Sequence, residues 1–322
     1  MHKELKCQVV RPYNYLCTMK PYRIKSISEF HSIFNLQKPE HPLISVVDYA
    51  ALVVAKRTSD ITVTVSDYYS ISVKRGLSHK MRYGQQEYDF DEGVMYFLAP
   101  GQVLHATPST DTDHLASGWI LLIHPDFLWN SNLAGMIKRY EFFDYSVHEA
   151  LFLSEKEELI LNNIIQNIQQ EYHANIDRFS QNIIISQLET LLNYAERFYQ
   201  RQFITRKISN HQILDKLDKL LRAYFEDADL VRKGLPTVQY VANAMNVSPG
   251  YLSGLLKVLT GQSTQQHVHD KLIEKAKEQL STTDLSVSEI AYGLGFEHPQ
   301  SFSKLFKSKT TVSPLEFRQS FN

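Results

Sequence analysis

The sequence predicts an α+β protein with strands in the N-terminal part of the chain and helices in the C-terminal part. Three observations carry this prediction: period-two alternation of apolar and polar residues before residue 124, helical spacing of apolar residues after residue 154, and a pattern that occurs twice near the C-terminus. At 322 residues the chain is long enough for two or three domains. Its net charge of −1 excludes a histone-like polycation but is compatible with one basic face.

The cysteine content and the apolar segments indicate a protein of a reducing compartment. Cys7 and Cys17 are too few for a disulfide framework, and we expect both thiols to be reduced. The start of the sequence lacks the apolar region of a signal peptide. Its apolar stretches are far shorter than the roughly 20 residues that a membrane helix needs. The sequence therefore predicts a cytoplasmic protein without a membrane partner.

Four short segments between residues 41 and 124 have the composition of strands. Two of them alternate apolar and polar residues, and two are apolar runs with a proline close behind. The four segments are Ile61–Val65, Tyr69–Val73, Val94–Leu98 and Gly118–Ile123. Several short strands separated by turns predict a sandwich or a small barrel. We interpret residues 1 to about 40 as an N-terminal arm.

Long amphipathic helices are predicted after this β region. Ser154 and Glu157 have the spacing of a capping box, which starts the first helix. A second helix is predicted over 179–203, and we expect its apolar face to mediate homodimerisation; the alternative is that this face covers the β domain. The apolar residues of that face are Ile184, Leu188, Leu191 and Leu192. A polar linker over 205–211 follows, in which Asn210 is expected to cap the next helix.

Two segments of the C-terminal region match each other at an offset of 49 residues. Each has an alanine, then four residues later an asparagine or a glycine, and then an apolar residue. A helix-turn-helix requires these residue types, because the helices cross closely at the alanine and the turn adopts a left-handed conformation that Gly and Asn tolerate. The matched pairs are Ala242 with Ala291, Asn246 with Gly295, and Val247 with Phe296.

Over residues 212–322 the sequence resembles the AraC/XylS family of bacterial transcription regulators. The residues of the second unit that match the family pattern are Ile290, Ala291, Gly295, Phe296, Gln300, Ser301, Phe302, Phe306, Lys307, Ser313, Pro314, Phe317 and Arg318. Three positions depart from the pattern. Thr310 and Thr311 replace an aromatic residue and a glycine, Lys271 replaces an arginine, and Leu256 replaces a phenylalanine.

The resemblance implies that the two units bind promoter or operator DNA through their second helices. The implied DNA-binding residues are Tyr251, Ser253 and Lys257 in the first unit and Pro299, Gln300, Ser303, Lys304 and Lys307 in the second. Gly250 and Gly254 occupy reading positions without a side chain, so we expect weak base reading by the first unit. Lys309 also suits a phosphate contact. The implied partners besides double-stranded DNA are RNA polymerase, a second copy of the chain and a small-molecule effector.

The resemblance also implies a division of the chain. We expect a cupin-like sensing β domain with its arm over 1–153, a helical pair over 154–204 and a linker over 205–211. A tandem helix-turn-helix domain that binds DNA follows over 212–322.

A metal site in the cupin-like domain is not predicted. His79, Glu87 and His105 have the order of a cupin metal triad, but Met81 replaces the second histidine and the spacing does not match. We therefore expect no metal, no cofactor and no catalysis. The polar residues expected in an effector pocket are Tyr68, Tyr69, Tyr83 and His105. Two alternatives stay open: a cupin-type metal enzyme fused to a DNA-binding module, and an adaptor whose helical units no longer bind DNA.

Overall fold

The fold is taken from a computed structural model of the chain. It describes residues 21–56, 63–76, 82–83, 86–87, 93–105, 116–146, 149–174, 177, 179–205, 207–227 and 229–320. The chain divides into two compact units. The first takes in the described residues of Met1–Ser78 and Leu98–Trp129, and the second takes in those of His79–Phe97 and Asn130–Asn322.

The described strands are short. In chain order they are β1 (Tyr22–Ile24), β2 (Ile44–Asp48), β3 (Val63–Ser66), β4 (Tyr69–Arg75), β5 (Arg82–Tyr83), β6 (Gln86–Glu87), β7 (Val94–Leu98), β8 (Val103–His105), β9 (Ser117–Ile123) and β10 (Leu151–Phe152).

The described helices lie mainly after residue 154. In chain order they are α1 (Ile27–Ile33), α2 (Tyr49–Lys56), α3 (Leu133–Met136), α4 (Glu155–His173), α5 (Ser180–Thr205), α6 (Lys207–Glu226), α7 (Leu230–Lys233), α8 (Val238–Ala244), α9 (Pro249–Thr260), α10 (Thr264–Thr282), α11 (Val287–Gly293), α12 (Pro299–Thr310) and α13 (Pro314–Gln319). The described residues also form three 3-10 helices, at Pro125–Leu128, Ile137–Arg139 and Glu141–Asp144. In the described part of the chain, no helix is long and apolar enough to cross a membrane.

The first unit is built on antiparallel pairing around β9. Leu121 in the middle of β9 lies opposite Val46 of β2 on one side and Ile71 of β4 on the other. A second sheet places β3 between β1, with which it runs parallel, and β8, with which it runs antiparallel. Helices α1 and α2 complete a core with β9, whose buried residues include Phe30, Leu52, Ile120 and Leu122.

The strand predictions agree with this sheet where they can be compared. The segments predicted at Tyr69–Val73, Val94–Leu98 and Gly118–Ile123 correspond to β4, β7 and β9. The prediction at Ile61–Val65 corresponds to β3 from Val63 onward, and its first two residues lie outside the described residues. A mixed α+β fold is confirmed, whereas a closed barrel is not, because the described strands form open sheets.

Helices α4 and α5 form the helical pair of the second compact unit, and α4 begins as its sequence predicts. The capping box predicted at α4 is confirmed, since Ser154 accepts from the Glu157 backbone and the Glu157 side chain accepts from the Ser154 backbone. Helix α5 packs against α4 and β10. Gln202, which is buried, accepts from the Phe152 N–H at 2.9 Å and donates to the Ala150 carbonyl at 3.2 Å.

Two predictions for this region are wrong. The α5 face assigned to homodimerisation is buried inside the chain: Ile184, Leu188, Leu191 and Leu192 are at most 2% exposed. These side chains already form the contact with the rest of the second unit, so they are not available to a second subunit. The cap predicted at Asn210 is also wrong, because α6 begins at Lys207 and includes that residue. The predicted domain boundaries stay predictions.

Helices α6 to α13 share one core. Its buried residues come from every one of these helices except α13, which contributes Phe317 at the margin. The buried residues from the two predicted helix-turn-helix units and from α10 between them include Val241, Leu252, Leu272, Ala276, Ile290, Phe302 and Phe306. A single core of this kind fixes α8–α9 and α11–α12 on either side of α10.

Both predicted turns have the left-handed conformation. The backbone angle φ is 56° at Asn246 and 86° at Gly295. In each turn the next residue donates its N–H to the alanine carbonyl at 3.1 Å: Val247 to Ala242, and Phe296 to Ala291. Both alanines are fully buried. The tandem helix-turn-helix prediction is thus confirmed at the level of individual hydrogen bonds.

The second helix of each helix-turn-helix, α9 or α12, is called its recognition helix here. The two recognition helices have different residues at their C-terminal caps. Gly261 caps the C-terminus of α9 with φ 75°, and Thr311 caps that of α12 with φ 69°. A left-handed conformation costs a residue with a Cβ roughly 1–2 kcal/mol, whereas glycine adopts it freely. The departure from the family pattern at Thr311 therefore places a β-branched residue in a strained position.

Replacement of Gly295 by alanine should destabilise the helical domain. A Cβ there would lie 3.1 Å from the Gly234 backbone, and φ is positive. We expect Gly295→Ala to lower the free energy of unfolding by about 1–3 kcal/mol, measured by native-state hydrogen exchange at core amides of α10. The matched control is Gly293→Ala, whose Cβ would meet nothing within 4 Å; it should be neutral or stabilising. Equal effects of the two substitutions would contradict the turn geometry.

Replacement of Thr311 by glycine should stabilise the same domain. Relief of roughly 1–2 kcal/mol of left-handed strain exceeds the roughly 0.5–1 kcal/mol of added chain entropy. We expect a gain of about 0.5–1 kcal/mol in the free energy of unfolding, again from hydrogen exchange. The control Thr310→Gly makes the same chemical change inside α12 and should not stabilise. A loss of stability in Thr311→Gly would show that Thr311 is not strained.

Candidate nucleic-acid interface

The second recognition helix, α12, presents the predicted polar residues on the surface. Phe302 and Phe306 are fully buried in the helical core and fix the rotation of the helix about its axis. With that rotation, Gln300, Lys304 and Lys307 are exposed. Pro299 and Ser303 lie beside them and are half-buried. All five residues predicted on this helix therefore belong to one accessible side.

Lysines of this region differ in whether an acid neutralises them. Within the described residues, Lys304 and Lys307 form no ion pair. Lys309, which the sequence also suggested for a phosphate, instead pairs with Asp270 of α10 at 2.7 Å. Lys271, the departure from the usual arginine, pairs with Asp218 at 3.0 Å and with Glu274 at 2.8 Å. The positive charge that no ion pair neutralises thus lies on the side of α12 that is exposed.

The other residues that match the family pattern hold this helix in place. Phe317 packs edge-on against Phe306, with ring centroids 5.5 Å apart. The Arg318 guanidinium donates to the Leu280 carbonyl at 3.2 Å and to the Leu285 carbonyl at 2.6 Å. These bonds tie α13 to the end of α10. Phe317 and Arg318 are therefore structural supports of the second helix-turn-helix.

The first recognition helix, α9, is placed differently. Ser248 caps it by accepting from the Tyr251 N–H at 3.2 Å. Tyr251 is only 2% exposed, and the Ser253 hydroxyl is bonded to the Thr264 hydroxyl at 3.0 Å. Of the three residues predicted to contact DNA on this helix, Lys257 alone is exposed. The predicted DNA contacts of Tyr251 and Ser253 stay predictions, and they would require a different packing of this helix.

Residues of the preceding helical region cover α9. Tyr251 makes edge-on ring contacts with Tyr145 at 5.4 Å and with Phe203 of α5 at 5.1 Å between centroids. Glu149 accepts from both the N–H and the hydroxyl of Ser248. Sequence reasoning missed Tyr145 and Glu149. The available signal was the pair of glycines in α9, which leaves room for a neighbouring chain segment.

The predicted effector pocket can be compared with the structure at two of its residues. Tyr69 is buried in β4, and burial raises the pKa of its hydroxyl. Tyr68 is part of the first unit's core, where burial likewise raises the pKa of its hydroxyl. The side chains of Tyr83 and His105 lie outside the part of the chain that the structure describes.

The metal-site prediction falls largely outside the described part of the chain. The side chains of His79, Met81, Glu87 and His105 all lie outside it. Among the side chains that are described, no group of three His, Cys, Asp or Glu residues is placed to hold a metal ion.

The helix-turn-helix region also matches a known family. Residues 241–320 match the family model of a helix-turn-helix domain. The uncharacterized transcriptional regulatory protein YesN of Bacillus subtilis is 41% identical over 75 residues, which cover 23% of this chain and 20% of that protein. The arabinose operon regulatory protein of Salmonella typhimurium is 37% identical over 78 residues, which cover 24% of this chain and 28% of that protein. The chain thus spans less than a third of the length of these relatives.

One similar solved structure is also a C-terminal domain of a regulator. The C-terminal domain of AraT, a response regulator from Geobacillus stearothermophilus, is 32% identical, with a TM-score of 0.30; the match covers 34% of this chain and 84% of that chain. The family model covers residues 241–320, and both turns with their shared hydrogen bond lie within that range. That region of the chain is a helix-turn-helix domain of the AraC type.

Proposed function

We propose that this chain is a sequence-specific, DNA-binding transcriptional regulator. The observation that carries the proposal is the exposed side of α12, which presents Gln300 together with Lys304 and Lys307, two lysines that form no ion pair within the described residues. A basic surface of this kind, on a helix that two buried phenylalanines hold in place, suits the major groove of DNA.

The side chains of α12 divide into two tasks. An amide such as that of Gln300 pairs with two positions of adenine, and an ammonium such as that of Lys304 suits the acceptors of guanine. Lys307, towards the end of the helix, suits a phosphate, which strengthens binding without reading the sequence. Pro299 and Ser303 complete the surface that approaches the base edges.

The arrangement of the two units supports a bipartite site on DNA. One helix, α10, separates them, and a single core holds all three parts. Recognition helices that enter successive major grooves on one side of the duplex are about 34 Å apart. A site with two half-sites at that spacing is part of the proposal.

The remaining parts of the chain have regulatory roles in this proposal. A sensing role of the N-terminal region, with a cupin-like β domain and a small-molecule effector, is supported by its strand-rich unit with a buried aromatic core. RNA polymerase is the proposed protein partner, as for a regulator of transcription. A homodimer is also proposed, through a surface other than the buried face of α5. A cytoplasmic location, where the genomic DNA of bacteria lies, is also part of the proposal.

Alanine substitutions on α12 should separate base reading from phosphate contact. Lys304→Ala should weaken binding to a selected site by about 1–3 kcal/mol and relax the preference at one base pair. Lys307→Ala should weaken binding to all duplexes and reduce the salt slope by about 1. The measurement is fluorescence anisotropy at several salt concentrations, with duplexes that the full chain selects from random DNA.

The control for this experiment is Lys156→Ala, which removes the same charge from the exposed surface of α4. It should leave affinity, base preference and salt slope unchanged. If Lys304→Ala behaves like this control, α12 does not read DNA in the proposed way. If the wild-type chain selects no duplex at all, the proposed function is wrong.

A further inference from the structure

The face of α9 that would approach DNA is covered by four residues of the same unit, Glu141, Tyr145, Glu149 and Phe203, which we call the α9 dock. Glu141 and Tyr145 lie in and just after the 3-10 helix Glu141–Asp144, and Phe203 lies near the end of α5. Both segments contact α9 extensively. The dock lies within the second compact unit.

Glu149 holds the beginning of α9. Its carboxylate is buried, at 2% exposure, and accepts from the Ser248 N–H at 2.6 Å and from the Ser248 hydroxyl at 2.6 Å. It also accepts from the Ser146 N–H at 2.7 Å. Backbone N–H groups and serine hydroxyls at a helix N-terminus are typical contacts of DNA phosphates. An internal carboxylate therefore occupies the groups with which a recognition helix contacts the DNA backbone.

The two glycines of α9 make the close approach of the dock possible. A Cβ on Gly254 would lie 2.9 Å from the Tyr145 hydroxyl and 3.5 Å from the Glu141 carboxylate. A Cβ on Gly250 would lie 3.3 Å from the Tyr145 ring. Glycine inside a helix is destabilising relative to alanine because it loses more chain entropy on folding, so two of them on one face require a structural reason. The tyrosine ring that lies against them supplies it.

The exposed lysine of α9 interacts electrostatically with the dock. Burial raises the pKa of the Glu141 carboxyl, and the positive charge of Lys257 opposes that rise. Lys257 is thus close enough to interact with an acid of the dock, although the sequence predicts that it contacts DNA. Three groups at α9 that suit DNA thus interact with the dock or are buried beneath it: Ser248 at its N-terminus with Glu149, Lys257 with Glu141, and Tyr251 under Tyr145 and Phe203.

We propose that the α9 dock is an autoinhibitory contact, in which residues 141–149 and the end of α5 compete with DNA for the first recognition helix. The inference rests on the proposed function, because the competition requires a chain that binds DNA. The docked chain contacts DNA through α12 only. Release of the dock exposes α9 and extends contact to a second major groove.

The test compares two dock variants of the full chain with a charge-matched control. Glu149→Gln removes the charge that holds Ser248, and Tyr145→Ala removes the ring that lies against both glycines. Neither residue belongs to the predicted DNA-binding set, so a gain in DNA binding cannot come from a new contact on α9. Glu155→Gln removes one negative charge at the exposed start of α4 and serves as the control.

Two readouts are needed, one without DNA and one with it. Hydrogen exchange without DNA should become faster at the amides of Ser248 and Tyr251 in both dock variants, and stay unchanged in the control. With duplexes selected by each protein, the dock variants should bind about ten-fold tighter, the factor expected when roughly one wild-type molecule in ten is undocked. Hydroxyl-radical footprints should extend from one major groove to two.

The outcomes separate this inference from the proposed function. Faster exchange with unchanged affinity and footprint would overturn the autoinhibitory role and leave DNA binding by α12 intact. Unchanged exchange in both variants would also overturn it, because these residues would then not hold the helix. If neither the wild type nor the variants bind any duplex, the proposed function fails and the inference fails with it. Should Glu149→Gln not fold, Tyr145→Ala alone decides between these outcomes.

Discussion

The orientation of both recognition helices depends on one short backbone constraint. A residue with positive φ follows the first helix of each unit, and the next N–H returns to the carbonyl of the buried alanine at 3.1 Å. This bond fixes the angle at which the second helix leaves the turn. Because the alanine has no more than a methyl group, the two helices approach closely enough for Leu252 in one unit and Phe302 in the other to enter the shared core. The polar residues of α12 are exposed as a consequence.

The same constraint decides which lysines of α12 form an ion pair within the chain and which remain exposed. Once α12 is oriented, Lys309 lies next to Asp270 of α10, 39 residues away in sequence, and the two form an ion pair. Lys304 and Lys307, on the outer side, form no ion pair within the described residues. A helix with three lysines therefore offers two of them to a nucleic acid. An exposed ion pair contributes little to stability, but it removes a charge from a binding surface.

The two units have the same turn and different surroundings. The second presents side chains to solvent, whereas the first presents two glycines and a buried tyrosine to Tyr145, Phe203 and Glu149. From the sequence, Gly250 and Gly254 on a recognition helix predict a weakened DNA contact, because they have no side chains. In the folded chain the same glycines form a close intramolecular interface. The asymmetry of the two helix-turn-helix units is thus a property of what each recognition helix packs against, and the proposed control of DNA binding depends on it.

The sequence by itself determined the features that depend on near neighbours in the chain. The capping box at Ser154, the left-handed turns at Asn246 and Gly295, and the apolar faces of the helices follow from local hydrogen bonding and sterics, and the structure has them. The positions of β3 and β4 also followed from period-two patterns, and those of β7 and β9 from apolar runs. Local reasoning was wrong at Asn210. Asparagine is a residue type that caps helices, but the helix begins three residues earlier.

Only the tertiary structure decided the features that join distant parts of the chain. The apolar face of α5 is buried inside its own chain and not against a second subunit, and the partner of Ser248 is a carboxylate 99 residues away. An apolar helix face looks the same in sequence whether its own chain or another covers it, because hydrophobic burial has no directional preference. The sequence around Glu149 likewise does not indicate which groups donate hydrogen bonds to its buried carboxylate. The sequence therefore determined which helices form and where they turn, and long-range packing decided which of their surfaces remain free to bind.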